Sequence, residues 1–283
     1  MGSGDNDGVG MKQFRDKQVL VTGAGSGIGR ETALAFAGEG AHLWVVDINL
    51  EAAQATAAQV QAMGRDARAL QCDVADAAAV QALADTVHAE IESLDVLMNN
   101  AGIGSAGRFL ETSLETWRKV MDVNLMGVVQ GCHAFLPAMV ASGRGGHVIN
   151  TASAAAFVAA PDMPIYAASK FAVQGFTESL RADMAQYGIG VTAICPGIIN
   201  TGIVASSIME GRLNDIERHD KVVKFYEKRN YTPAQVAKVI VSAVRRNVAV
   251  QPVSPEAWGM YYAKRFAPAL VQQLSKRELP FFK

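Results

Sequence analysis

The apolar run Gln18-Val19-Leu20-Val21-Thr22 passes directly into Gly23-Ala24-Gly25-Ser26-Gly27-Ile28-Gly29, and then into a helical pattern with Ile28, Ala33, Leu34 and Ala37 apolar and Gly40 as its stop. No other stretch restricts the fold as much. A β-branched strand that ends in glycines and opens a helix calls for a tight turn whose bare backbone lets a ligand approach closely. The new helix offers unpaired N–H groups and a positive dipole end, which together suit a pyrophosphate. The next strand, His42 to Val46, ends at Asp47, close to the separation of about 20 residues expected for an acid that binds ribose. A carboxylate there accepts from both ribose hydroxyls and repels a 2′-phosphate, so NAD is expected over NADP. Ser26 and Ile48 supply no cation for a phosphate, whereas Arg30, one residue past the last glycine, keeps NADP open. The alternative use of Asp47 is an ordinary strand-end turn.

Strands and helices then alternate. Asn49 caps a helix to Met63 that Gly64 ends, Ala67 to Val74 is a strand closing in Cys72-Asp73-Val74, and Asp76 caps a helix running to about Glu92. Asp95 to Asn99 is a strand that breaks into Asn100-Ala101-Gly102, and two helical patterns adjoin between Ser113 and Val140. Gly146 to Thr151 and Gly190 to Ile194 are further strands, Thr232-Pro233 caps another helix, and Val248 to Val250 is the last strand. This alternation calls for an α/β fold with a parallel sheet covered on both faces. No Pro/Ser-rich linker or repeat interrupts it, so one domain is expected.

Composition removes several classes. A formal net charge of −1 gives no electrostatic grip on nucleic acid. Cys72, Cys132 and Cys195 are odd in number and lack CxxC spacing, and the five histidines show no HExxH pattern, so neither disulfides nor a metal site is expected. Reduced, buried thiols in a cytoplasmic protein are the reading. The first ten residues are Gly- and Asp-rich without an apolar core, so residues 1–15 read as a disordered tail and not a signal peptide. No apolar run approaches the length of a membrane span.

The chemistry centres on Tyr166 and Lys170, four apart in a helical segment and therefore on one face. A free tyrosine is a poor base at neutral pH, and a nearby cation favours its phenolate. Ser153 follows a strand and precedes Tyr166 by 13 residues, enough for a loop to return the helix toward its hydroxyl. Asn124, an amide amid apolar residues, either bonds to backbone or serves a site.

Six motifs in register, TGAGSGIG from Thr22, NNAG from Asn99, Asn124, Ser153, the Tyr166/Lys170 pair and PGxxxT from Pro196 to Thr201, resemble the short-chain dehydrogenase/reductase family from about Asp16 to Val253. The resemblance implies a Rossmann-like doubly wound sheet of about seven parallel strands and a homotetramer or homodimer. Carried onto this chain, it makes Tyr166 the acid/base that exchanges a proton with the substrate oxygen and Ser153 a hydrogen-bond donor to that oxygen. Lys170 holds the nicotinamide ribose and lowers the Tyr166 pKa, and Asn124 anchors a proton relay. Gly23, Ser26, Ile28 and Gly29 hold the pyrophosphate side, Asp73 and Val74 meet the adenine, and Asn100, Ala101 and Gly102 support the cofactor. Pro196, Ile199 and Thr201 frame the nicotinamide. The same fold also carries lyases, epimerases and non-catalytic dinucleotide sensors.

Residues 202–231 mix Ile203, Val204, Ile208, Met209, Phe225 and Tyr226 with charges, as an amphipathic pair of short helices forming a substrate lid. The loop Ala154 to Ile165 is apolar except for Asp162, so a hydrophobic secondary alcohol or ketone is the expected substrate. Residues 254–283 read as a helical extension with Trp258, Tyr262 and Phe266 as an aromatic stripe beside Lys264 and Arg265. Such a stripe packs on its own core or a sister subunit, or else docks on a membrane surface.

Overall fold

The computed structural model describes residues 11–203, 206–229 and 231–276. Its centre is a seven-stranded parallel sheet in the order β3-β2-β1-β4-β6-β7-β9, formed by Gln18–Thr22 (β1), His42–Asp47 (β2), Ala67–Gln71 (β3), Val96–Asn99 (β4), Gly146–Thr151 (β6), Ile189–Pro196 (β7) and Val250–Val253 (β9). Two-residue strands Ser105–Ala106 (β5) and Ile208–Met209 (β8) pair separately. The strand order reverses between β1 and β4, which opens a crevice at the carboxyl ends of those strands.

Both sheet faces are apolar because successive strand residues point to opposite sides. Val19 and Val21 join a cluster with Ala33, Phe36, Val236, Ile240 and Val244, whereas Leu20 between them joins Trp44, Leu97, Phe135, Met139 and Val148. The first cluster is covered by Gly27–Gly38 (α1), Leu50–Ala62 (α2) and Pro233–Arg245 (α8); the second by Ala77–His88 (α3), Gly127–Ala141 (α5) and the end of Pro164–Met184 (α6). The expected caps are present: the Asn49 side chain accepts from Ala52 N–H, that of Asp76 from Ala78 and Ala79, and Thr232 closes a capping box with Gln235.

Several expectations are corrected. Residues 11–15 are not tail, because Phe14 is 1% exposed, meets the Phe36 ring edge-on at 5.0 Å and lies under Arg245; residues 1–10 lie outside the described residues. The two helical patterns after Ser113 are Leu114–Met121 (α4) and α5, joined by a π-helical turn at Asp122–Met126 into one run. That run, Leu114–Ala141, is long and apolar enough to cross a membrane by length and composition. Its apolar side chains Val128, Cys132, Phe135 and Met139 are buried against the protein, as in a core helix. The segment expected to form a lid is not a pair of short helices: it is β8, a 3₁₀ turn at Gly211–Leu213 and one helix, Ile216–Arg229 (α7), while Val204 lies outside the described residues. The extension forms Pro255–Phe266 (α9) and Pro268–Leu274 (α10). On α9 it is Ala257, Met260 and Tyr261 that pack inward. The stripe of Trp258, Tyr262 and Phe266 stays exposed and stacks on itself at 5.5 and 6.2 Å, so it does not pack on its own core.

Candidate active site

The glycine turn after β1 is built so that later strands clamp it. Thr22 Oγ1 accepts from the Asn100 and Ala101 N–H groups at 2.9 and 3.1 Å, and the Asn100 amide donates to Thr22 O at 3.0 Å. Gly23 has φ +63°, and a Cβ on it would lie 2.8 Å from Ala101 Cα; one on Gly29 would lie 2.1 Å from Gly23 O. These positions therefore need glycine. Asp47, at the end of β2, accepts from Gly25 N–H at 2.8 Å and Asn49 N–H at 3.0 Å, which fixes its carboxylate beside the turn. Helix α1 begins with Ser26 making no side-chain cap and with no acidic residue in its first turn. Its first-turn N–H groups thus take no side-chain cap, Ile28 is partly buried among them, and the arrangement fits an anionic pyrophosphate. Thr201, across the crevice, lies 3.6 Å from where a Gly27 Cβ would stand. Pro196 ends β7, and Ile199 beyond it is buried. At the far end Asp73 is exposed, turning its carboxylate to Ala75 N–H, and buried Val74 accepts from Gln130 through its carbonyl at 2.7 Å.

Ser153 leaves β6 in an extended conformation and caps a 3₁₀ turn, accepting from Ala155 N–H at 3.1 Å. Helix α6 begins with Pro164, whose missing N–H costs nothing in a first turn, so Tyr166 occupies that turn and Lys170 the next. Ser153 and Tyr166 line one cavity of about 190 Å³ with Val158, Met163, Ile203 and Met209. Lys170 is buried, donates to Thr151 O at 2.8 Å and lies 5.7 Å from the Tyr166 ring centre. Burial lowers its pKa to about 8. Gly102 passes so close that a Cβ there would lie 3.1 Å from Asn124 Oδ1 and 3.5 Å from Lys170 Nζ.

One electrostatic expectation is corrected. Burial pushes the Tyr166 phenol up from its ordinary value, and the opposing pull comes from Ser153, not from Lys170. The Lys170 ammonium donates to Thr151 O instead of to the phenol, and burial is the larger influence on Tyr166. Asn124 lies in the π-turn, fully buried, where its Oδ1 accepts from Ile103 N–H at 2.8 Å and its Nδ2 donates to Ile103 O at 3.0 Å and Ser169 Oγ at 3.2 Å. Ser169 in turn donates to Tyr166 O at 2.8 Å. Asn124 thus bonds to backbone, and through Ser169 its bonds reach the helix carrying Tyr166.

With this geometry the comparisons agree. The short chain dehydrogenase family model matches residues 17–210. The chain belongs to the short-chain dehydrogenase family. It is 44% identical over 267 residues to the probable oxidoreductase EphD of Mycobacterium tuberculosis, covering 93% of this chain and 45% of that protein; the chain therefore spans less than half the length of that relative. It is 39% identical over 194 residues to a cyclohexanol dehydrogenase of an Acinetobacter species, covering 68% and 77% of the two chains. A short-chain dehydrogenase/reductase of Burkholderia phymatum, solved in complex with NAD, superposes with a TM-score of 0.85 at 28% identity over 95% of this chain and 98% of its own.

Sequence reasoning missed three residues beside the site. Ser169, the third residue between Tyr and Lys, carries the Asn124 contact; a hydroxyl in the middle of that spacing was its signal. Glu256 and Met260 of α9 line the cavity, and their signal was a Pro-Glu helix start directly after the last strand.

Proposed function

We propose that this chain is an NAD(H)-dependent oxidoreductase that interconverts an apolar secondary alcohol and its ketone. The observation that carries the reading is that Ser153 and Tyr166 meet in one apolar cavity with the Lys170 ammonium directly behind. A bound nicotinamide dinucleotide supplies the hydride acceptor or donor. The N–H groups around Gly23, Ser26, Ile28 and Gly29 hold the pyrophosphate, and Asp47 accepts from the adenosine ribose. Asp73 and Val74 border the adenine, Asn100, Ala101 and Gly102 floor the crevice, and Pro196, Ile199 and Thr201 frame the nicotinamide end. Tyr166 gives its proton to the ketone oxygen during reduction and takes it from the alcohol during oxidation, while Ser153 donates to that oxygen. Lys170 holds the nicotinamide ribose, and Asn124 with Ser169 keeps the Tyr166 helix in place and leads protons outward.

The preference for NAD rests on the Asp47 carboxylate, held beside the glycine turn, where a 2′-phosphate meets like charge. Arg30, the nearest candidate to reverse it, turns its guanidinium to Glu31 at 3.4 Å. The alcohol class is supported by the lining and by the cyclohexanol dehydrogenase relative. The buried free thiols fit a reducing compartment such as the cytoplasm, and a homodimer or homotetramer fits the family.

Initial rates with NAD and NADP against secondary alcohols, with cyclohexanol among the apolar members and hydroxy acids among the polar ones, test this reading. NAD is expected to be preferred, with rates rising toward the apolar members, and Tyr166→Phe is expected to cost about 10²–10⁴-fold. Preference for NADP, or faster turnover of carboxylated alcohols, would overturn it.

A further inference from the structure

Among the described residues lining the cavity, Glu256 is the only carboxylate. It comes from the first turn of α9, outside every motif that marks the family. Its Oε1 accepts from Ile198 N–H at 2.9 Å, in the loop after β7, and its Oε2 pairs with Arg229, the last residue of the lid helix α7. We propose that Glu256 is a positioning residue that joins the lid helix to the loop on the nicotinamide side of the crevice, so that the two hold one common geometry.

Three further observations support this. Gly197, beside Ile198, donates to Val253 O at 3.1 Å, and a Cβ on it would lie 2.4 Å from Ser254 Oγ and 2.6 Å from Glu256 Oε1; loop and carboxylate interlock without room for a side chain. Ser254, which delivers Glu256, is buried at φ 85°, ψ 153°, a region that is comfortable for glycine alone. Such strain persists where its surroundings over-determine it. Tyr226, one turn before Arg229, and Met260, one turn after Glu256, both line the cavity. The carboxylate therefore stands at the junction of the lid, the extension and the nicotinamide-side loop.

The substrate arm of the test rests on the proposed alcohol dehydrogenase activity; the cofactor arm does not. Glu256→Gln keeps an acceptor for Ile198 N–H but loses the ion pair, Arg229→Gln loses the pair from the other side, and Glu256→Ala loses both contacts. With NAD and cyclohexanol as probes, E256Q and R229Q are each expected to raise the cyclohexanol KM about tenfold with kcat within about threefold. The double variant is expected to be no worse than the weaker single one. NADH affinity, read from nicotinamide fluorescence, should fall about tenfold in E256A and stay unchanged in E256Q. Additive losses in the double variant would overturn the proposal. So would a lowered melting temperature with unchanged KM and NADH affinity, since Glu256 would then only pack α9. If the wild type oxidises no alcohol, the activity reading fails by itself, and E256A binding NADH like the wild type would overturn the coupling.

Discussion

His147 shows how a single buried side chain sets the pH range in which the fold holds. It lies on β6 with Nε2 2.8 Å from Thr192 Oγ1, and burial, aided by the charge of Arg181, lowers its pKa to about 3. Arg181 cannot move away, because it donates to Val191 O and to both the side chain and carbonyl of Asn247. The unfolded chain binds a proton at this histidine from about pH 6.5 downward and the native one does not, so the stability tied to it is complete above 6.5 and is lost as pH falls toward 3. Between pH 7 and pH 4.5 the loss amounts to roughly 2–3 kcal/mol. Urea unfolding at both values checks this: wild type is expected to lose that much more than His147→Asn. Equal losses would mean that the acid sensitivity resides elsewhere. Tyr166 obeys the same physics with a functional consequence. Since burial raises its pKa, the free enzyme holds it as a phenol, ready to donate, and alcohol oxidation is expected to accelerate with rising pH across the alkaline range as the phenolate forms.

Among the elements, the run from α4 to α5 brings a buried amide, Asn124, against the helix that carries Tyr166. Its π-turn inserts one residue into the helical ladder, and such bulges recur at functional sites. Here it turns Asn124 inward to Ile103 and Ser169. Asn124→Ala would leave both backbone groups of Ile103 without their partner, at a cost of about 2–4 kcal/mol, and is expected to lower kcat as the Tyr166 helix loosens; chemical unfolding and steady-state rates measure the two. The turn was hidden in the sequence because a one-residue insertion barely disturbs an apolar pattern on either side. Elsewhere local signals were enough. Asn49, Asp76 and Thr232 cap as their residue types require, and the unbroken apolar run of β1 foretells its two covered faces. The form of residues 202–231 was misread because β8 has two residues and owes its form to a partner, β5, about a hundred positions earlier. Glu256 escaped for the same reason: Ile198, Arg229 and Gly197 define its role, and all are distant in the chain.

At the scale of the molecule, two apolar areas stand out on the surface of the described residues. Phe109, Leu110 and Leu114 form one, with Leu110 at 93% exposure, and the α9 stripe ending in Phe266, at 81%, is the other. Removing the whole extension would also remove Glu256 and Met260 from the cavity, so point changes are the better probe of association. Tyr262→Glu with Phe266→Glu is expected to yield a smaller species by sedimentation velocity with the melting temperature nearly unchanged. An unchanged sedimentation coefficient would exclude the stripe from subunit contact.

The strand order bears on how the chain is made as well as on what it binds. β1 precedes the other described strands in the chain, is central in the finished sheet and takes its second neighbour, β4, only at residues 96–99. At about 5–20 residues per second of synthesis, one edge of β1 waits roughly 4–15 s for that neighbour. The glycine turn waits longer, since Thr151, which donates to Asn100, follows half a chain later. Until then the segment lacks the neighbour that covers its second edge, and an uncovered apolar edge is of the kind that pairs with other chains.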